Sequence, residues 1–196
     1  MPSPDPKGVF INAPFDRSYE PLFVTLVGTL VFLGQEPHCV LEIRETGEGR
    51  LARIIDLMLS CRMSIHDLSR MSARFNMPYE LGLASAIKHL YPNDYEIFVL
   101  DSKSYRIDRT LSDYKGRDPL IHNGTCDGMV TCLLDTFQSD TYDAVDVRDA
   151  AKELRKSARV IKRRLKATSI FRPSAFRLLV GAAAQIATER GFINLR

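Results

Sequence analysis

Five short apolar runs, each bounded by turn residues and separated by helical patterns, constrain this chain more than any other feature. Val9-Phe10-Ile11-Asn12 reads as a first strand, residues 39–43 as a second, 63–68 as a third and 95–101 as a fourth. Pro119-Leu120-Ile121-His122 is a short fifth. Residues 21–33 are apolar on almost every face and end at Gly34, the pattern of a buried helix. Leu51, Ile54, Ile55, Met58 and Leu59 mark one face of an amphipathic helix. Further helices are expected over 78–90 and 127–137, with a short one around 109–114. Strands that alternate with helices call for a parallel sheet covered on both faces. Right-handed crossovers then favour a flavodoxin-like, doubly wound, five-stranded parallel α/β sheet in the order 2-1-3-4-5, over residues 7–140.

The pattern changes beyond about residue 142. Val147, Ala150, Leu154, Ala158, Ile161 and Leu165 recur at heptad-like spacing. Phe171-Arg172-Pro173 breaks this helix, residues 176–188 form a second, and Gly191 is placed to cap it. A C-terminal helical hairpin over 141–196, packed on the domain or on a second subunit, is the expectation. The net charge of +3 hides a division. From Arg148 to Arg196 there are 13 Lys/Arg against three acids, a net of +10, and the remainder carries −7. Such a tail can join copies of the chain, or a partner protein, through its helices. Nucleic-acid phosphates are a competing partner, against which stand the few aromatics and the regular apolar stripe.

With 45% hydrophobic and 26% charged residues, the chain suits a soluble globular protein. No apolar run approaches the roughly 20 residues of a membrane span, and residues 1–6 lack the apolar region of a signal peptide. A cytoplasmic protein without membrane contact is therefore expected. Cys39 and Cys61 lie in apolar runs and read as reduced, buried thiols; Cys126 and Cys132, six residues apart, fit neither a zinc knuckle nor a redox motif. No P-loop occurs, and Gly47 and Gly49 alone do not make a dinucleotide fingerprint. Neither a zinc helix motif nor a nucleophile elbow is present. Asn12-Ala13 stands where a phospho-receiver needs paired acids.

In an open parallel sheet, ligands bind beyond the carboxyl ends of the strands. Asn12 and Asp16 follow the first strand, Glu42 and Arg44 the second, and Asp67, Ser69 and Arg70 the third. Asn76 and Glu80 open the next helix, and Asp101, His122 and Asn123 follow the last two strands. Glu80 has two readings. An acid near Pro78 in a first helical turn favours initiation and the macrodipole on its own. Alternatively, Gly82-Leu83-Ala84 lets the helix approach a strand or ligand closely and leaves Glu80 as a reacting group. Asp67 orients a ribose hydroxyl or caps its own loop. Arg70 and Arg74 bind phosphate or stand solvated. His66, inside a strand, reads as a packing residue.

Phe10-Ile11-Asn12-Ala13-Pro14-Phe15, Asp67, and Glu80-Leu81-Gly82-Leu83-Ala84 resemble nucleoside 2-deoxyribosyltransferases. The same layout looks like the related TIR domains that cleave NAD, many of them in bacterial anti-phage defence. The resemblance spans about Gly8 to Phe137 and leaves out the basic tail. It implies a glutamate, here Glu80, that attacks or stabilises the anomeric carbon while the base departs. It also implies Asp67 as the sugar-orienting acid, and Asn12, Pro14, Phe15 and Asp16 around the pocket. Arg44, Ser69, Arg70, Arg74 and Asn76 would then meet the rest of a nucleotide. An oxocarbenium-like state opposed by a carboxylate needs no external cofactor, so NAD or another nucleotide would be substrate. The chain departs from TIR enzymes, which show Ser or Cys shortly before the glutamate, in carrying Arg74-Phe75-Asn76-Met77-Pro78-Tyr79. The resemblance leaves open a domain that binds nucleotide, signals and assembles without turnover.

Overall fold

Parallel neighbours in a sheet require a crossover between them, and the computed structural model places a helix or a helical turn in every crossover. It describes residues 4–43, 49–70, 75–111, 114, 118–137, 139 and 141–193. In chain order these form β1 (Asp5–Asn12), α1 (Glu20–Phe32), β2 (Glu36–Cys39), α2 (Arg50–Ser60), β3 (Cys61–Asp67) and α3 (Asn76–Leu90). They continue with β4 (Glu96–Asp101), α4 (Arg106–Thr110), β5 (Leu120–Ile121), α5 (Cys126–Thr136), α6 (Ala144–Arg164) and α7 (Pro173–Glu189). The sheet is five-stranded and parallel, in the order β2-β1-β3-β4-β5, as the pattern of runs predicts. No helix among the described residues is long and apolar enough to cross a membrane.

The chain divides into two compact units. The first comprises Met1–Pro14 and His38–Gly124. Its strands read as unbroken apolar runs because they are covered on both faces: Val9, Phe10 and Ile11, which alternate sides, are all fully buried. In register, Phe10 faces Ser64, Asn12 faces His66, and His66 faces Val99. Phe10 and Cys61 pack with Ile54 and Met58 of α2, and with Ala84 and Ile87 of α3. A second cluster joins Leu68, Met77, Leu81, Val99 and Ile107.

Two elements depart from the sequence reading. The second strand lies earlier than residues 39–43, at Glu36–Cys39, and Val40–Glu42 is a 3-10 turn. Glu42 reaches back, its carboxylate accepting from the Cys39 amide at 2.8 Å, and that contact turns the chain out of the sheet. Pro37 is tolerated within the strand because β2 is an edge. Of the short helix expected around 109–114, α4 covers Arg106–Thr110, where Arg106 has partners described below; Tyr114 lies in a 3-10 turn, and residues 112–113 lie outside the described residues.

The second unit comprises Phe15–Pro37 and Thr125–Arg196 and consists of α1, α5, α6 and α7. It does not follow the expected division at residue 140, and the reason lies in α1. A helix that is apolar on every side must be surrounded, and every α1 residue except Pro21 is buried. The hairpin expected from the tail forms, with α6 and α7 packing on each other and on α1. Val147, Ala150, Leu154, Ala158 and Ile161 make the buried face of α6. Phe23 of α1 packs against Phe15, Phe171 and Phe176 at centroid distances of 5.6, 5.3 and 6.2 Å. Glu20, nearly buried, pairs with Lys162 and accepts from the Ile170 amide at 3.1 Å.

Gly28 of α1 faces α6 without a side chain: a Cβ there would stand 2.3 Å from Leu154 Cδ2. Alanine in a helix interior normally stabilises by about 1 kcal/mol relative to glycine. Here the overlap reverses the sign, and Gly28→Ala should cost about 1–2 kcal/mol in urea unfolding. In a Leu154→Ala background the same change should become neutral or stabilising. Equal effects in both backgrounds would rule out this contact as the cause.

Candidate functional site

The carboxyl ends of β1, β3, β4 and β5 gather the buried polar side chains of the first unit. Asn12, Ser64, His66, Asp67, Glu80, Asp101 and His122 are all buried. Groups removed from water in this way need partners, and each set of partners reveals a role.

Asn12 ends β1 and its amide Nδ2 donates twice, to Met77 O at 2.9 Å and to His66 Nδ1 at 3.0 Å. The proton of His66 is therefore on Nε2, which donates to Ser64 Oγ at 2.9 Å. Burial lowers the His66 pKa to about 3, so the ring stays neutral, in keeping with a packing histidine. Through Met77 O, Asn12 ties the end of β1 to the first turn of α3.

Asp67 ends β3 and is fully buried. Its Oδ1 accepts from the Ser69 amide at 2.8 Å, and its Oδ2 lies 3.0 Å from His122 Nε2. His122 Nδ1 accepts from the Gly124 amide at 3.0 Å, so the ring proton belongs on Nε2, the nitrogen within ion-pair distance of the carboxylate. Of the two readings of Asp67, the Ser69 amide contact is the loop cap, and the carboxylate presents no exposed surface to a ribose hydroxyl. With no exposed surface, and both oxygens engaged, it holds the loop after β3 and the imidazole after β5. His122 is thus a site residue visible in the sequence only as a polar group after the last strand.

Arg106, which the sequence did not single out, closes the edge. Its Nε donates to Asp101 Oδ2 at 3.1 Å, and its Nη2 to Asp101 Oδ1. Nη1 donates to Ser69 O and Nη2 to Leu68 O, both at 2.6 Å. One planar fork thereby joins the end of β4 to the chain leaving β3. Tyr105, just before it, adopts φ 58°, a left-handed conformation rare for an aromatic residue.

Glu80 differs from these groups. The helix starts at Asn76, two residues before the expected position, so Glu80 lies in its second turn. Helix initiation and the macrodipole act mainly within the first turn and account poorly for an acid there. The residue is only 7% exposed. Burial raises its pKa from 4.5 to about 7, against a hydrogen bond from Asn76 and the charge of Arg50, which both lower it. Both protonation states are therefore populated near neutral pH. Gly82 does not bring α3 against a strand, because a Cβ there would meet nothing within 4 Å. The residue that brings α3 into the core is Ala84, fully buried. Phe75 and Tyr79, one turn apart on the same two turns as Glu80, are 83% and 54% exposed.

Of the other expected site residues, Pro14 is buried, Ser69 is half-buried and supplies its amide to Asp67, and Arg70 is exposed. Asn76 is exposed and hydrogen-bonds Glu80. Phe15 and Asp16 belong to the second unit. There Phe15 packs on Phe23 and Phe171, and the Asp16 carboxylate accepts from Ser18 Oγ and the Tyr19 amide at 2.7 and 2.9 Å. Arg44 and Arg74 lie outside the described residues. Comparison with known proteins finds no family model, no curated protein and no solved structure that matches this chain.

Two stability measurements follow from these contacts. The Glu80 pKa is higher in the folded chain than the ordinary 4.5, so its stabilising effect is complete below about 4.5 and is lost as pH rises to about 7. His66 acts with the opposite sign, losing its contribution as pH falls from 6.5 towards about 3, so wild type alone should show partial cancellation. Glu80→Gln isolates the acid: relative to wild type it should gain about 3 kcal/mol between pH 4.5 and pH 8 in urea unfolding. A constant difference across that range would reject the shift. Arg106→Met leaves Asp101 buried without its cation and should cost about 3–5 kcal/mol at pH 7. A loss under 1 kcal/mol, as for an exposed ion pair, would show that the clamp carries little.

Proposed function

We propose that this chain cleaves, or transfers at, the N-glycosidic bond of a nucleotide, with NAD favoured over a deoxynucleoside and Glu80 as the reacting carboxylate. The observation that carries this reading is the placement of Glu80. It is a buried acid in the second turn of α3, beside the strand ends of a parallel sheet, with a pKa near 7. Perturbed acids at such edges are candidates for chemistry. In the reaction, the bond between the anomeric carbon and the base breaks and its electron pair leaves with the base. Nicotinamide departs neutral and needs no proton. The ionised Glu80 carboxylate, on the opposite face of the sugar, bonds to the cationic carbon or stabilises it until water or an acceptor attacks.

The surrounding contacts suit positioning rather than direct participation. Asn12 holds the start of α3 through Met77 O, and Asp67 with His122 holds the loop after β3. Asn76 can favour the ionised form of Glu80 by hydrogen bonding. Phe75 and Tyr79 offer exposed aromatic surface on which a base can stack.

Because the reacting form is the carboxylate, kcat/KM should rise with pH through about 7 and then level off. Incubation with NAD and a panel of nucleosides, with products identified by mass spectrometry, tests the reading directly. Glu80→Gln should lower turnover by at least about 100-fold while the fold remains intact by circular dichroism. Equal turnover in both proteins would discard the mechanism. Nucleotide binding with no product from wild type would point instead to a sensing module, and exchange of bases between two nucleosides to a deoxyribosyltransferase.

A further inference from the structure

We infer that the solvent face of α6 is a docking surface for the phosphate backbone of duplex DNA, read without regard to sequence. Lys152, Lys156, Arg159 and Arg163 recur at intervals of four, three and four residues, the spacing that keeps side chains on one helical face. All four are exposed, and Arg164 beside them is exposed too. They span roughly 16 Å along the helix axis. Lys152 pairs with Asp149 at 2.9 Å; among the described residues no carboxylate lies within ion-pair distance of Lys156, Arg159, Arg163 or Arg164.

Two simpler explanations account for only part of this face. Cations in a last turn complement the helix dipole, which explains Lys162, Arg163 and Arg164 but not Lys156 or Arg159 one to two turns earlier. Packing of the tail explains the apolar stripe, whose residues are buried within the second unit, and leaves the basic face unused. Lys162 and Arg155 are committed to Glu20 and Thr25, so they are structural cations and do not belong to the exposed set.

The geometry also selects among polyanions. Single-stranded nucleic acid is held by aromatic side chains on which bases stack. The exposed large apolar residues of the second unit are Val145, Val160 and Leu178, with no aromatic among those described. A basic helical face fits the closely spaced charges of a duplex, and the major groove of DNA admits a helix where the deep, narrow groove of duplex RNA does not. This inference does not depend on the proposed chemistry at Glu80.

The test uses the full chain and a fluorescein-labelled DNA duplex of arbitrary sequence, about two helical turns long, followed by anisotropy. Four phosphate contacts predict a log–log salt slope of about −3 to −4, so affinity should fall about 100-fold between roughly 50 and 200 mM salt. Lys156→Gln/Arg159→Gln/Arg163→Gln should weaken binding more than about tenfold at low salt and flatten the slope by about three. Arg159→Gln alone, at an exposed position, guards against misfolding of the triple variant and should flatten it by about one. Single-stranded DNA and duplex RNA should bind more weakly. The inference is overturned if no binding occurs at low salt, or if the substitutions leave it unchanged. It is equally overturned if phosphatidylserine/phosphatidylcholine vesicles bind more tightly than the duplex.

Discussion

A carboxylate, amide or imidazole sealed inside a protein is tolerated only when another polar group meets it, and the strand-end edge of the first unit is built around that requirement. Asp101 has no exposed surface, and removing two lone-pair sets from water is offset by a guanidinium that also satisfies the Leu68 and Ser69 carbonyls. Asp67 is met by an amide and an imidazole, and Asn12 spends both of its donors. Apart from Asp67 with the Ser69 amide and Asp101 with Arg106, these contacts link a strand end to a segment distant in sequence. The same bonds that satisfy buried groups therefore fix where α3 begins and where the chain leaves β3.

Glu80 is less fully compensated than Asp101. Asn76 and Arg50 both favour its charge, yet burial outweighs them and holds the pKa near 7. A purely structural acid in such a place would be expected to have a full partner, as Asp101 does. Retaining a poorly compensated carboxylate at a strand-end edge is a common arrangement at catalytic centres, where the cost is borne by contacts elsewhere. That contrast between neighbouring acids, more than burial alone, separates Glu80 from the rest of the edge.

Much of the fold was legible because its periodicities are local. The α6 stripe predicted at Val147, Ala150, Leu154, Ala158, Ile161 and Leu165 is buried up to Ile161, while Leu165 caps the helix half-buried, and alternating strands and helices led directly to the observed sheet order. Less was legible of the site. Asn12, Asp67 and Glu80 stood out as polar residues at strand ends, but Arg106 lay in a weakly patterned connection and carried no local sign of its long-range partners. Gly82 was no guide to how α3 packs on the sheet, since no protein atom lies where its Cβ would stand. The second strand was misplaced because Glu42 closes a turn through a side-chain contact that apolar patterning does not register.

The sequence by itself determined which segments become strands and helices, which faces of the tail helices are apolar, and the concentration of positive charge after Arg148. These depend on residue periods and composition, which act over a few neighbours. Only the tertiary structure decided that α1 joins α5, α6 and α7 in one unit, that Asp67 is enclosed by His122, and that Glu80 is withdrawn from water. Those outcomes depend on packing between segments tens of residues apart, where burial changes the free energy of a charge and the missing Cβ of Gly28 leaves room for the Leu154 side chain.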